Sequence, residues 1–262
     1  MFTNIESAEN NKIKLVRKLA NRKARNEENK IVIEGINLVK EAVQRGINID
    51  FIMISDSYVR DEFVQSCINM DSIMVCQVPE NIFDKVVDAE NGVGIIAVLY
   101  KPTTNFGEIS KLSDEGNVLV LDKIQDPGNM GTMIRTAVAA GYEMIVATKG
   151  TVDVYSPKVL RATAGMIFDI PVVYADDNEE LFKLLKKKGK RIVVTSVDGG
   201  EPYYKEELKR SVALVIGNEG NGVSDEIVKV ADLLVTIPMQ GGIESLNAAV
   251  SAAILMYESI RE

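Results

Sequence analysis

Three glycine-bearing turns in the second half of the 262-residue chain collect the side chains whose types and spacing could do chemistry. In DPGNMGTMIRTAVAAG (126–141), Asp126-Pro127-Gly128-Asn129 makes a tight turn out of a strand. A helix begins around Met130, Asn129 suits its N-cap, and Arg135 lies on its second turn. Ala137, Ala139, Ala140 and Gly141 keep that helix slim enough for another backbone to approach. In IGNEGNGVS (216–224) a carboxylate, Glu219, is held between glycines. In IPMQGGIESLNAAVSAAILMYESIRE (237–262), Ser245 or a neighbour caps a helix whose Leu246, Val250, Ile254 and Tyr257 form an apolar stripe suited to core or subunit packing. Amide, guanidinium, carboxylate and hydroxyl groups of this kind can orient a substrate and bind an anion. Other chemistries are excluded. The chain has no histidine, so it has no Ser-His-Asp triad, no His-ligated metal and no imidazole base. Its two cysteines, Cys67 and Cys76, cannot make a Cys-only zinc site and read as reduced core residues, one on a helix and one in a strand. The spacing G-x-x-G-x-G in the second turn is not the dinucleotide fingerprint G-x-G-x-x-G, which removes a Rossmann oxidoreductase.

The elements that must position these turns alternate between strand and helix. VLVLDKI (118–124) is a continuous apolar run, the mark of a central parallel strand covered on both faces. After the helix at 130–141 come MIVAT (144–148), a helix near 157–165, IPVVY (170–174), a basic helix at 178–189, RIVVTSV (191–197), VALVIGN (212–218), LLVTIP (233–238) and a final helix at 245–261. Upstream the same alternation runs through IVIEG (31–35), a helix at 37–46, FIMIS (51–55), a helix across 58–69, SIMVCQV (72–78) and GIIAVLY (94–100). KPTTNFGEISKLSDEGN (101–117) reads as a linker. The expected organisation is an N-terminal domain at 1–100, the linker at 101–117 and a second domain at 118–262. Both are α/β, and the sheet is mainly parallel. A chain with 46% hydrophobic and 26% charged residues has core enough without disulfide or metal staples. No apolar run approaches the length of a membrane span, and the polar start MFTNIESAEN is unlike a signal peptide, which points to the cytoplasm.

Charge is distributed unevenly. The net charge is −8, yet KIKLVRKLANRKAR (12–25) holds seven basic side chains and no acid, so the remainder carries −15. Read as one helix, this segment puts Lys14, Arg17, Lys18, Arg22 and Arg25 within an arc of about 140° at 100° per residue. Ile13, Leu15, Val16, Leu19 and Ala20 take the opposite side, and Lys12 and Lys23 must lie near the ends or snorkel. Five outward cations without an acid suit a polyanion, with a salt slope of about −3.5 if each met a phosphate of single-stranded RNA.

Taken together and in this order, the segments NMGTMIRTAVAAG, LVIGNEGNGVS and IPMQGGIESLNAAVSAAILMYE resemble the SpoU branch of the SPOUT superfamily, S-adenosylmethionine-dependent RNA 2′-O-ribose methyltransferases. KGTVDVYSPKVLRATAGMIFDIPV (149–172) is similar to the family's stretch after the second strand, and KIKLVRKLANRKAR with IVIEGINLVKEAV looks like the substrate-binding domain of the rRNA-modifying members. The resemblance implies a C-terminal methyltransferase domain with a trefoil knot and a small N-terminal α/β RNA-binding domain of L30e-like form. It implies S-adenosylmethionine as cofactor, touching Gly217, Ile237 and Leu246 by motif position, with Thr195 as a further contact. Asn129, Arg135, Glu219, Ser245 and Asn247 fall on the family's catalytic or RNA-contacting positions, and Arg161 joins the RNA-binding set. RATAG (161–165) departs from the more usual Arg-Ala-Ser-x-Gly, although Thr163 keeps a hydroxyl.

The implied reaction moves a methyl to a ribose 2′-hydroxyl, so the protein must align the oxygen, remove its proton and exclude water. Arg135 is a proposed base in this family. A guanidinium stays protonated, however, and pairing with an RNA phosphate and the forming alkoxide suits it better. Asn129 would orient the hydroxyl, and Ser245 and Asn247 would hold target or cofactor. Glu219 is either an anchor for RNA or an acceptor for loop N–H groups. The N-terminal domain favours 23S-type rRNA over tRNA as the substrate, with a catalytically inactive ribosome-binding protein as the third reading. The resemblance and the alanines of the last helix (Ala248, Ala249, Ala252, Ala253) lead us to expect a homodimer through the C-terminal domain. No metal is expected.

Overall fold

A computed structural model describes residues 1–70, 72–87, 94–197, 199–241 and 245–261. The chain divides into two compact units, one of residues 1–102 with 155–165 and one of residues 103–154 with 166–262. The stretch 155–165, expected in the second domain, therefore groups with the first.

In the first unit the chain runs through β1 (Phe2–Asn4), α1 (Asn11–Leu19), α2 (Arg22–Glu28), β2 (Lys30–Glu34), α3 (Ile36–Gln44), β3 (Ile49–Ser55), α4 (Glu62–Ile68), β4 (Val75–Val78), α5 (Glu80–Phe83) and β5 (Ile95–Tyr100). Its five-stranded sheet has the order β1-β4-β3-β5-β2. This sheet is mixed, because β5 runs antiparallel to both β2 and β3. The expectation of a mainly parallel sheet therefore holds only for the second unit. The polar N-terminus supplies an edge strand, Phe2–Asn4 beside Val75–Gln77, which no apolar pattern announces. Cys67 on α4 and Cys76 in β4 are both buried and free, and burial pushes both thiols up, away from nucleophilic use.

The basic segment is two helices. Asn21 interrupts it, and its side chain accepts from Lys23 N at 2.8 Å to cap α2. The helix boundary expected before Asn26 falls instead at Glu28. A single 140° arc over 14–25 does not exist. The apolar side, Ile13, Val16 and Leu19, does bury as expected, and Lys12 snorkels with Nζ 4.3 Å from the centre of the Phe51 ring.

The second unit begins where a linker was expected. Residues 106–111 form a 3-10 helix, and Ile109 and Leu112 are buried in this unit's core beside Val118, Met144 and Val173. Then come β6 (Val118–Leu121), α6 (Pro127–Ala139), β7 (Met144–Thr148), α7 (Pro157–Thr163, clustered with the first unit), β8 (Val172–Ala175), α8 (Asn178–Lys187), β9 (Arg191–Thr195), β10 (Glu201–Pro202), β11 (Val212–Ile216), α9 (Asp225–Val228), β12 (Leu233–Thr236) and α10 (Ala248–Glu258). Seven strands pair in the order β10-β12-β9-β11-β6-β7-β8, every pair parallel. All four residues of β6 and all five of β7 and β11 are buried, as strands covered on both faces must be. From β6 the chain steps outward to β7 and β8, then crosses back to β9, and β11 fills the gap beside β6. The direction of winding therefore reverses at β6 and β11. The loops leaving their carboxyl ends diverge there, which is where open α/β sheets bind ligands.

Candidate active site

The loops after β6 and β11 are tied together by one carboxylate. Glu219 Oε1 accepts from Asp126 N at 3.1 Å and Asn129 Nδ2 at 3.0 Å, and Oε2 accepts from Gln125 N at 3.2 Å. Partial burial alone would raise this carboxyl. The Asn129 amide and the loop N–H groups outweigh it and hold Glu219 below the usual carboxylate range. Asn129 passes the chain onward: its Oδ1 accepts from Asn247 Nδ2 at 2.9 Å, and Asn247 Oδ1 accepts from Ala249 N at 2.9 Å to cap α10. The two ends fix both amides. A carboxylate can only accept and helix N–H groups can only donate, so each amide has one possible orientation. Three residues distant in sequence thereby form one directed line from Glu219 to the start of α10.

This geometry revises several expectations. Asp126, not Asn129, caps α6, accepting from Asn129 N at 2.7 Å with Pro127 at the first helical position. The helix therefore starts earlier than Met130, and Arg135 falls on its third turn, exposed. Among the described residues Arg135 has no hydrogen-bond or ion-pair partner. Asn247, not Ser245, caps the last helix, which spans Ala248–Glu258. Each end of the Asn129 amide makes one bond, to Glu219 and to Asn247, so it helps set the site's shape. Glu219 is an acceptor for loop N–H groups, the second of its two expected roles.

Beside this line lies a cavity of about 590 Å³. Thr195, Gly217, Ile237 and Leu246 all line it, together with Glu219 and Ser245, whereas Asn129, Arg135 and Asn247 do not. Residues 242–244 of the third segment lie outside the described residues. Ser196, Thr236 and Ser251 also line the cavity, and no motif in the sequence marks them. Gly217 is required by close approach: a Cβ there would stand 2.2 Å from Gly222 C and Val223 N, so the loop folds back on its own start. Asn218 closes that fold, exchanging backbone bonds of 2.9 Å with Gly222 and accepting from Gly220 N and Asn221 N at 3.0 Å. Among the described residues the lining mixes aliphatic residues, hydroxyls, amides and one carboxylate, with no Lys or Arg. That donor set suits an apolar, polar-edged ligand carrying positive charge and opposes a phosphate-bearing nucleotide.

The expected RNA-binding residues fare unevenly. Arg25 is 4% exposed and donates to Leu19 O at 2.7 Å and Ala20 O at 2.8 Å, closing the end of α1, so it is structural. Lys14 pairs with Glu9 at 2.8 Å and Lys18 with Glu28 at 2.7 Å. The side-chain hydrogen bond between Lys18 and Glu28 raises the lysine and lowers the carboxyl. Acids just outside the 12–25 window thus answer the cations inside it. Arg17 and Arg22 are exposed. Arg161, on α7, is ion-paired with the buried carboxylate of Glu34. Thr163 turns its hydroxyl to Leu160 O at 2.8 Å, so its departure from serine leaves a local helix-end bond in place. Among the described residues no cluster of three metal-ligating side chains occurs, and no helix is long and apolar enough to cross a membrane.

Residues 116–257 match the SpoU rRNA Methylase family and residues 10–97 match the MRM3-like substrate binding domain. The chain is 37% identical over 259 residues to the 23S rRNA (guanosine(2553)-2′-O)-methyltransferase RlmP of Bacillus subtilis, covering 97% of each chain. It is 32% identical to a putative TrmH family tRNA/rRNA methyltransferase of Staphylococcus saprophyticus, covering 88% of this chain and 96% of that one. Among solved structures, an AdoMet-bound rRNA methyltransferase from Sinorhizobium meliloti superposes with a TM-score of 0.86 at 28% identity, covering 98% of this chain and 97% of that chain.

Proposed function

We infer, because this chain belongs to the SpoU rRNA methylase family, that it transfers a methyl group from S-adenosylmethionine to a ribose 2′-hydroxyl of 23S ribosomal RNA. The observation that carries this reading is the cavity at the carboxyl ends of β9, β11 and β12, lined by residues of the second and third characteristic segments and by no Lys or Arg among the described residues. When bound, the cofactor supplies an electrophilic methyl on a sulfonium. Gly217, Ile237, Leu246 and Thr195 would hold it. Thr195 Oγ1 donates to Val215 O at 3.1 Å, which keeps that wall of the cavity in register with β11. Glu219 supplies negative charge along the same wall, favourable to a sulfonium.

Positioning falls to the line Glu219–Asn129–Asn247, which fixes the loops after β6 and β11 and the start of α10 relative to one another. Ser245, exposed at the cavity, is placed to touch the target or the cofactor. Arg135 carries a guanidinium, five N–H donors and no acceptor, so its role is to meet an RNA phosphate and the charge developing on the 2′-oxygen. Arg17 and Arg22 would contact RNA from the first unit.

The same reading carries finer features. The second unit would close in a trefoil knot and the first would be L30e-like. Two copies would pair through the second unit, where Val250 and Tyr257 on α10 are 48% and 50% exposed. The alanines expected to serve this contact do so less, since Ala249 and Ala252 are buried within the chain. The enzyme would act in the cytoplasm, where ribosomes are assembled. Transfer of labelled methyl from S-adenosylmethionine to total RNA of a deletion strain, followed by mapping, tests the function. Incorporation at one 23S ribose is expected. Incorporation into tRNA would reassign the substrate, and none into any RNA would leave a ribosome-binding protein.

A further inference from the structure

A second cavity, of about 570 Å³, lies against the same 218–222 loop: Asn218, Asn221 and Gly222 line both cavities. Its remaining lining among the described residues is Lys123, Gln125, Gly150, Ser224 and Asp225, so they present amides, a hydroxyl, one carboxylate and one ammonium, with no aliphatic or aromatic side chain. Nothing there can stack a base. Everything there can hydrogen-bond a sugar or a phosphate.

Lys123 is the unusual member. Its φ is +56°, a conformation that disfavours any side chain, and of the four described non-glycine residues at positive φ it alone lines either cavity. The surroundings hold it there. Lys123 N donates to Thr148 Oγ1 at 3.2 Å, and Lys123 O accepts from Asn218 Nδ2 at 2.9 Å and Gln125 Nε2 at 3.2 Å. Gly150 leaves room for the stem, since a Cβ there would stand 3.3 Å from Lys123 Cγ. Nζ then reaches Ser224 Oγ at 3.0 Å, and that hydroxyl is itself oriented by donating to the fully buried Asp122. One of three ammonium protons is thereby used, and Lys123 makes no ion pair among the described residues.

We propose that this second cavity binds the sugar-phosphate of the RNA nucleotide flanking the acceptor, with Lys123 Nζ on its phosphate and Asp225 accepting from a ribose hydroxyl. The inference rests on the rRNA methyltransferase reading and adds a site to it. A lysine with two unused donors in a polar cavity is a phosphate contact by chemistry. The shared loop places that phosphate one wall away from the methyl-donor cavity.

The test compares Lys123→Gly, Lys123→Gln and Lys123→Arg with the wild type, using a full-length 23S rRNA transcript and, separately, S-adenosylhomocysteine. Glycine suits φ +56° better than lysine, so Lys123→Gly should melt no lower than the wild type. It and Lys123→Gln should each flatten the slope of log K against log[salt] by about 0.7 and weaken RNA binding about fivefold at 0.1 M salt. Lys123→Arg should retain the slope, and S-adenosylhomocysteine affinity should be unchanged in all three. Wild-type slopes and affinities in both folded Gly and Gln variants would overturn the site while leaving the function intact. A wild type that neither binds nor methylates the transcript would overturn the function, and this inference with it.

Discussion

The basic stretch of the first unit and the paired loops of the second both concentrate polar side chains, but they satisfy them in different ways. Lys14, Lys18 and Lys23 meet Glu9, Glu28 and Glu27 across exposed gaps of 2.8, 2.7 and 3.8 Å. Such pairs are screened by water and salt, each contributes little, and any can open to release its lysine to a phosphate. The second region uses neutral amides strung between a carboxylate and a helix N-terminus, with Asn129 only 9% exposed. Each member there can make its bonds in one orientation only. Exchangeable charge would suit the proposed RNA surface, which must also let go, and a directed amide line suits a cavity that must keep its shape.

The harshest test of that rigidity is Gly217→Ala. A methyl 2.2 Å from the Gly222–Val223 backbone cannot be accommodated by moving a side chain. The loop must open, with a loss of about 3 kcal/mol or more and of at least tenfold in donor affinity. A variant that keeps wild-type melting temperature and donor binding would show that the loop is looser than its geometry.

Glu219→Gln asks the same question more gently. It leaves one oxygen to serve the donors now shared by two, and should lower stability by about 1–2 kcal/mol with a larger fractional loss of activity. It also has a pH signature. Glu219 sits below the usual carboxylate range when folded, so its contribution is present above the unfolded value, near about 4.3, and is lost as pH falls through the lower folded value. The gap in stability between wild type and variant should therefore close as the solution is acidified through that window. A gap independent of pH would mean that the carboxylate's charge does not matter to the loops.

The smallest effect belongs to the basic stretch. Lys18→Ala should change stability by less than about 0.5 kcal/mol, and the difference should vanish in concentrated salt. Replacing Lys14, Lys18 and Arg22 together by Gln should flatten the salt slope of RNA binding by less than about 1, short of the ~2 expected for three unpaired cations. A full change of 2 would show that Glu9 and Glu28 release their lysines completely on binding RNA.

What the sequence determined by itself is what depends on neighbours along the chain. The apolar runs at 118–121, 144–148 and 212–216 announce doubly covered parallel strands, because period and composition are local. Gly217, Ile237 and Leu246, with Thr195 at a strand end, are expected together because three ordered segments resemble a family, and they do line one cavity. The tertiary structure alone decided the rest. Asn21 splits the basic segment with a cap whose hydrogen bond does not show in a helical projection, and Arg25 turns inward to close the helix before it. The acids that pair with Lys14 and Lys18 lie outside the acid-free window 12–25. Ile109 and Leu112 bury a stretch that looked like a linker, since two well-spaced apolar residues make no periodic signal. Above all, Glu219 meets Asn129, and Asn129 meets Asn247, across separations of 90 and 118 residues. Which donor faces which acceptor at that range is set by the strand order, and no local pattern encodes it.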